Sequence, residues 1–417
     1  MPRHPVPLHP LLLLAACAAA VAAGCASQPE EAGERRPGIE KGRCSDLTRE
    51  ILDASLALGT RYLLNHQQPD GRFSYIYDWV ERRFVAGDNQ VRQAGATWGL
   101  ATLHQDAPDP EVAAALEKSL AFFEAHSRTT PQGERYVAYP GQRDGRLGTV
   151  ALVALAHVDY LRRAEHLSQS AAAGYRDRLA EYLSFLLSAR AADGRFHASY
   201  DLRTGTPFGS PSPYFDGESL LALTKAARYL GRDDLRPAAL AAADAGYRLN
   251  VEEARRSDPD SKVTKGYYQW SSMAYFELAT SGWPETEKYG GWLIELADWM
   301  IDVHRTLERT RNTAYAYEGI VPAYRMAEIR GDALHMKKLG CTLEQGLAKL
   351  TSWQVGSPIA NGFIAERMRA SGAARHDDPL ALGGVQNHRA EAPLRIDVVQ
   401  HQMHAVILAR RYYYNEP

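Results

Sequence analysis

The stretch Gln67-Gln68-Pro69-Asp70-Gly71-Arg72-Phe73 follows one helical segment, and the same device returns as Arg190-Ala191-Ala192-Asp193-Gly194-Arg195-Phe196 after another. Asp-Gly supplies the tight turn that follows a helix end, because glycine takes a positive φ without steric cost. The phenylalanine then folds back over the core. Each copy opens a long loop that leads to a second helix. Working outward from these loops, a helical pair recurs six times. The first helices read as residues 46–66, 109–126, 171–190, 235–251, 290–309 and 333–353, and the second as 90–105, 145–164, 214–231, 267–283, 312–331 and 395–414. Connections within a pair are mostly long, and connections to the next pair are mostly short. Stacked pairs bury a continuous core only when neighbours pack together. The pattern predicts an all-α fold, an (α/α)6 toroid of six outer/inner hairpins, with the second helices inside. One rim then carries the long loops and the N-terminal ends of the inner helices, which is where a binding site is expected.

The chain has 417 residues, and no linker-like segment interrupts 46–414, so 45–417 reads as one toroid domain. The 48 basic and 50 acidic residues leave no electrostatic footprint for nucleic acid. A monomer is expected.

The N-terminus reads as an export signal. Arg3 precedes an apolar run over 11–23, too short for a membrane span, which ends in Val21-Ala22-Ala23-Gly24-Cys25. Small residues followed by Cys resemble the lipobox of bacterial lipoproteins, in which the Cys is acylated and becomes the first residue. On this reading 1–24 is a lipoprotein signal peptide, Cys25 is the lipidation site, and 25–44 is a flexible tether. Leu14-Ala15-Ala16-Cys17 and plain secretion are the alternatives. Ala26 follows the Cys, so the resemblance implies outer-membrane sorting and a lipid-anchored protein of the cell envelope, facing the periplasm or the surface. Cys44 and Cys341 then remain. A bridge between them would staple the first pair to the last. However, Cys341 lies about two turns into its helix, an offset of roughly 12 Å, so a bridge requires the tether to fold back. One buried and one surface thiol is the other reading.

Candidate chemistry sits where the inner helices begin. These starts read Arg92-Gln93-Ala94-Gly95, Arg146-Leu147-Gly148-Thr149, Tyr214-Phe215-Asp216-Gly217-Glu218, Tyr268-Gln269-Trp270-Ser271-Ser272, Tyr315-Ala316-Tyr317-Glu318-Gly319 and Arg395-Ile396-Asp397 through His401. A carboxylate near a helix N-terminus is stabilised by the helix dipole, which is the structural explanation for any one of them. Together, Asp216, Glu218, Glu318 and Asp397 point from three inner helices toward one rim. Crowded carboxylates raise at least one pKa, as a general acid beside a base or nucleophile needs. We therefore expect Glu218, Glu318 and Asp397 to be catalytic, with Glu218 or Glu318 as the acid and Asp397 as its basic partner. Arg92, Gln93, Asp216, Arg395 and His401 are expected to contact substrate, the two arginines neutralising a carboxylated sugar. Tyr214, Tyr268, Trp270 and Tyr317 offer faces for sugar rings, or else plug the mouth of the toroid as packing.

Asp397, His401 and His404 share one helical stripe but lack a further ligand for a metal, so no metal and no other cofactor is expected. His376-Asp377-Asp378 reads as solvated.

The Asp-Gly loops resemble the Q-x-x-x-G-x-W/F repeats of squalene cyclases and similar turns in other toroids, a likeness that is informative about architecture only. The six pairs over 46–414 look like the six-hairpin glycosidase-like superfamily. That resemblance implies a carbohydrate-active protein: a glycoside hydrolase, lyase or epimerase acting on a glycan or uronic-acid sugar. No catalytic motif of a named glycosidase family is present, so no family residues carry over. The chain also lacks the Asp-x-Asp-Asp and Asp-Asp-x-x-Asp motifs of terpene cyclases. The alternative is a non-catalytic glycan- or lipid-binding lipoprotein on the same scaffold.

Overall fold

The computed structural model describes residues 44–359, 378–388 and 391–415. The signal peptide, Cys25, the tether as far as residue 43, and His376 and Asp377 lie outside them.

Among the described residues, twelve long helices alternate between two layers. In chain order they are α1 (Arg49–His66) and α2 (Gln90–Asp106), α3 (Pro110–Ala125) and α4 (Leu147–Leu161), α5 (Gln169–Ser188) and α6 (Pro213–Tyr229). Then follow α7 (Arg236–Tyr247) and α8 (Lys262–Ala279), α9 (Glu287–Asp302) and α10 (Ala314–Arg330), and α11 (Ala333–Ser352) and α12 (Ile396–Tyr412). The even-numbered helices form the inner ring. Each packs on the next, and α12 packs back on α2, so the ring is closed, as expected for an (α/α)6 toroid. Every residue of α4 is buried, the mark of a helix that is apolar on all sides. Each outer helix packs on the inner helix that precedes it in the chain, and α9 packs about equally on α10, which follows it; α1, which has none before it, packs on α12.

Glycines on inner and outer helices make room for aromatic residues of their neighbours. A Cβ at Gly319 would lie 2.6 Å from the Tyr268 hydroxyl, one at Gly217 would lie 2.5 Å from Trp270, and one at Gly346 of α11 would collide with the Tyr317 phenol. The Asp-Gly turns form as expected, with φ of 98° at Gly71 and 93° at Gly194. Phe73 and Phe196 are buried.

Cys44 and Cys341 form a disulfide, with Cα atoms 5.2 Å apart. The register obstacle is removed because the chain before α1 lies along α11. There Glu344, one turn beyond Cys341, accepts the backbone N–H groups of Cys44 (2.7 Å) and Ser45 (3.2 Å).

Three features differ from the sequence reading. The rim loops contain short strands, including β1 (Ile76–Asp78), β2 (Arg83–Val85) and, immediately before α12, the strand Pro393–Arg395. This last strand pairs antiparallel with β1, setting Ile76 opposite Arg395. Helix α8 starts at Lys262 rather than 267, because the Ser261 hydroxyl caps it by accepting from the Val263 N–H. Helix α9 stops at Asp302, and Arg305 takes a left-handed conformation before a short 3-10 turn.

The glycine contacts give a sign-reversing test. Gly346→Ala is expected to destabilise the fold by about 1–3 kcal/mol through overpacking against Tyr317. Gly174→Ala, in the interior of α5 where a Cβ meets only the Arg178 side chain at 3.2 Å, is expected to stabilise it by roughly 0.5–1 kcal/mol. Thermal unfolding of both variants checks this, and equal effects would refute the packing account.

Candidate active site

The N-terminal ends of the inner helices surround a cleft of about 910 Å³. Deeper along the axis the ring is plugged. There Trp98 of α2 meets Trp270 of α8 at 5.4 Å between ring centroids, and His404 of α12 edge-on at 4.7 Å.

Glu218, in the second turn of α6, lines the cleft but is only 3% exposed. Its Oε2 is buried with no hydrogen-bond partner, against Gly148 and beside Phe215. A Cβ at position 148 would collide with that oxygen, so the glycine makes its seat. Burial pushes the Glu218 carboxyl up to about 8, and the nearby Arg92 guanidinium only partly offsets this. Glu218 is therefore protonated at neutral pH.

Asp397, in the first turn of α12, lines the same cleft in the opposite state. Arg395 donates to it from Nε (2.9 Å) and from Nη2, and Arg92 Nε lies 3.4 Å away. Burial works against the charge, but the Arg395 hydrogen bonds and the Arg92 guanidinium outweigh it and hold Asp397 below the usual carboxylate range.

His401 lies one turn further along α12. Its Nδ1 is 3.1 Å from Glu318 Oε2 and 3.1 Å from the side-chain amide of Gln269. His404 Nδ1 meets the other Glu318 oxygen at 2.7 Å. Burial opposes charge on Glu318, but His401 and then His404 outweigh it and hold the carboxyl below its ordinary value. Both contacts are made at Nδ1, so Nε2 is the His401 nitrogen left for a ligand.

The structure thus brings Glu218, Asp397, Arg92, Arg395, His401, Tyr214 and Trp270 to one cleft and keeps the other candidates away from it. Glu318 is fully buried behind two histidines, so it is not a cleft acid. Gln93 and Asp216 are loop clamps. Gln93 Oε1 accepts the Phe73 N–H at 2.8 Å, and Asp216 Oδ1 accepts the Phe196 N–H at 3.0 Å, each across 20 residues. They therefore hold the two Asp-Gly loops in equivalent ways and do not line the cleft. Tyr268 and Tyr317 are buried between helices, with the Tyr268 hydroxyl donating to the Ala316 carbonyl at 3.0 Å.

Sequence reasoning missed Lys265, His304 and Arg309, which also line the cleft. The Ser261 cap was the signal that would have placed Lys265 on α8. His304 and Arg309 had been assigned to an outer helix that ends before them. His304 Nδ1 donates to Asp260 at 2.7 Å and its Nε2 accepts from the Tyr315 hydroxyl at 3.0 Å, which fixes this wall. Among the described residues no group of three or more His, Cys, Asp or Glu is placed to hold a metal. On the α12 stripe, Asp397 turns to the arginines while both histidines turn to Glu318.

No protein-family profile matches the chain, and no curated protein matches it in sequence. Solved structures do match. A sugar epimerase from a ruminal bacterium superposes with a TM-score of 0.61 at 10% identity, over 87% of this chain and 98% of that one. A cellobiose 2-epimerase from Spirochaeta thermophila gives 0.59 at 16% identity, over 88% and 96%. An unsaturated glucuronyl hydrolase specific for heparin gives 0.55 at 11% identity, over 87% and 97%. The fold is therefore the (α/α)6 toroid that these structures share.

The state of Glu218 has a measurable consequence. Because its folded pKa is raised, the native state keeps a proton that the unfolded chain releases above about pH 4.5, so its contribution to stability is lost as pH rises from there through about 8. Glu218→Gln carries no such proton. Its stability relative to the parent is expected to climb across that window, by about 1.4 kcal/mol for each pKa unit of displacement. Unfolding curves at pH 5, 7 and 9 check this, and a pH-independent difference would mean an ordinary, ionised Glu218.

Proposed function

We propose that this protein is a carbohydrate-active enzyme that moves protons in the rim cleft, with Glu218 as general acid and His401 as general base on a glycan or sugar. The observation that carries the reading is the contrast between two carboxyls opening on one cleft. Glu218 is kept neutral by burial without a partner, and Asp397 is kept ionised by two guanidiniums. A carboxyl held neutral beside the cleft is equipped to donate a proton, and the ionised Asp397 keeps the guanidiniums in place around it. Asp397 is a weaker base than its position suggested, because Arg395 occupies both its oxygens and its pKa is depressed. It serves better to hold Arg92 and Arg395 in place. His401 Nδ1 stands 3.1 Å from both Glu318 Oε2 and the Gln269 side-chain amide, which fixes the ring's place, and the tautomer with the proton on Nδ1 leaves Nε2 as the base. The names of the toroids that match the fold, two epimerases and an unsaturated glucuronyl hydrolase, support sugar as the substrate class. Hydrolysis, elimination and epimerisation all need one donor and one acceptor of protons, and product analysis separates them.

Incubation with a glycan panel, followed by mass spectrometry and NMR of products, tests the proposal. On any substrate found, Glu218→Gln and His401→Asn are each expected to lower turnover by about 10²–10⁴-fold. The parent rate should fall as pH rises through about 8, where Glu218 loses its proton. Full turnover by both variants, with only their melting temperatures lowered, would leave a binding or structural role.

We propose further that the chain is anchored to the cell envelope through a lipid on Cys25. The support is the small-residue run ending in that cysteine and the Cys44–Cys341 disulfide, which suits an oxidising compartment outside the cytosol. Cells fed an alkyne fatty acid should label the parent and not Cys25→Ser, and equal label on both would reject the site.

A further inference from the structure

One wall of the cleft carries positive charge that the chain does not neutralise. Six cations line the cleft, Arg92, Arg146, Lys265, Arg309, Arg311 and Arg395, against three carboxylates, Asp88, Glu218 and Asp397. Of the carboxylates, Glu218 is protonated. Arg92 and Arg395 share Asp397, so the two arginines expected to read a carboxylated sugar are already engaged. Arg309 pairs with Asp260 at 2.8 Å and Arg311 with Glu391 at 3.0 Å, while Arg146 has no carboxylate partner among the described residues but donates to the Ser199 hydroxyl at 2.9 Å. Lys265 differs: among the described residues its ammonium makes no ion pair or hydrogen bond, and lies 5.2 Å from the centre of the Tyr315 ring. Burial, then the neighbouring Arg309, push its pKa below the ordinary lysine value. A half-buried ammonium facing a cleft and lacking a counter-ion lowers its free energy by meeting an anion there.

The same wall offers a surface for a sugar ring. Tyr214, at the start of α6, is 45% exposed, the most open aromatic of the cleft. Its ring packs over Gly266, the residue after Lys265, where a Cβ would come within 2.9 Å of it. An apolar face and an unpaired cation therefore stand side by side, next to the helix that carries Glu218.

We propose that Lys265 and Tyr214 form an anion-reading subsite, and that the substrate is a sugar carrying a negatively charged oxygen group, carboxylate or sulfate, which meets Lys265 while the ring packs on Tyr214. This rests on the sugar-active reading above and narrows it to acidic sugars.

Calorimetric titration of the full chain at low salt tests it. The probes are short oligosaccharides of polygalacturonate, alginate and hyaluronan, each beside its carboxyl-reduced counterpart, and κ-carrageenan oligosaccharides beside their desulfated form. At least one acidic probe is expected to bind about ten-fold more tightly than its neutral counterpart. Lys265→Met, which keeps the aliphatic stem, should abolish that preference without moving the melting temperature, and Lys265→Arg should retain it. The carboxylate and sulfate arms identify the anion. Equal binding of acidic and neutral forms, or a preference that survives Lys265→Met, overturns the proposal. If neutral sugars bind equally well and are turned over in a Glu218-dependent way, only this subsite falls and the enzyme reading stands. If no carbohydrate binds, charged or neutral, both fall.

Discussion

Closing α12 onto α2 and α1 is the constraint on which the rest of the toroid depends. Every other outer helix packs on the inner helix just before it in the chain, so those contacts are local and form at small entropic cost. Helix α1 has no predecessor. Its partner is α12, more than 300 residues away, and several bonds hold that seam. Arg49 donates to the Arg410 carbonyl at 3.2 Å, Arg410 and Arg411 both reach Asp106 at 2.9 Å, and the Cys44–Cys341 disulfide ties the segment before α1 to α11. On the rim, the pairing of β1 with the strand before α12 continues the seam. This closure carries Asp397 and Arg395 to Arg92 and completes the cleft. An open superhelix with the same hairpins would leave those residues at opposite ends of the molecule.

Within the closed ring the acidic side chains at the inner-helix ends are buried, and each reaches a different state according to its partners. Glu218 has none and keeps its proton. Asp397 has two guanidiniums and is ionised. Glu318 has two imidazoles and is ionised although fully buried. Asp216, raised to about 7 by burial against the opposing bonds from Asn250 and the Phe196 N–H, is spent on a loop. Coulomb and hydrogen-bond terms of a few kcal/mol decide these outcomes, because burial has already removed the solvation that would have made the carboxyls alike.

The clamps explain why polar residues in the first turns of inner helices are a poor guide to substrate contact when read singly. Gln93 and Asp216 are chemically different, yet both catch the phenylalanine N–H of an Asp-Gly loop 20 residues earlier. A backbone N–H turned inward needs an acceptor, and the neighbouring helix end supplies it. The loop, its glycine and the clamp form one structural unit that sets the edge of the cleft without entering it.

The alternation of helices, the asymmetry of loop lengths, the Asp-Gly turns and the small residues of the inner layer were legible along the chain, because each reflects local backbone preference or the periodicity of burial. They determined the toroid and the rim on which Glu218, Asp397, Arg92, Arg395, His401, Tyr214 and Trp270 stand. The tertiary structure alone decided which polar residues face the cleft and in what charge state. One turn of helix separates Asp397, bound to arginines, from His401, set beside Glu318 and Gln269. A difference of two residues separates Asp216, a loop clamp, from Glu218, a neutral carboxyl in the cleft. The early start of α8 is marked locally by the Ser261 cap, whereas the short rim strands and the fold-back that lets Cys44 reach Cys341 likewise lay beyond sequence reading. Each depends on contacts between segments far apart in the chain, and periodicity carries no information about partners that only ring closure brings together.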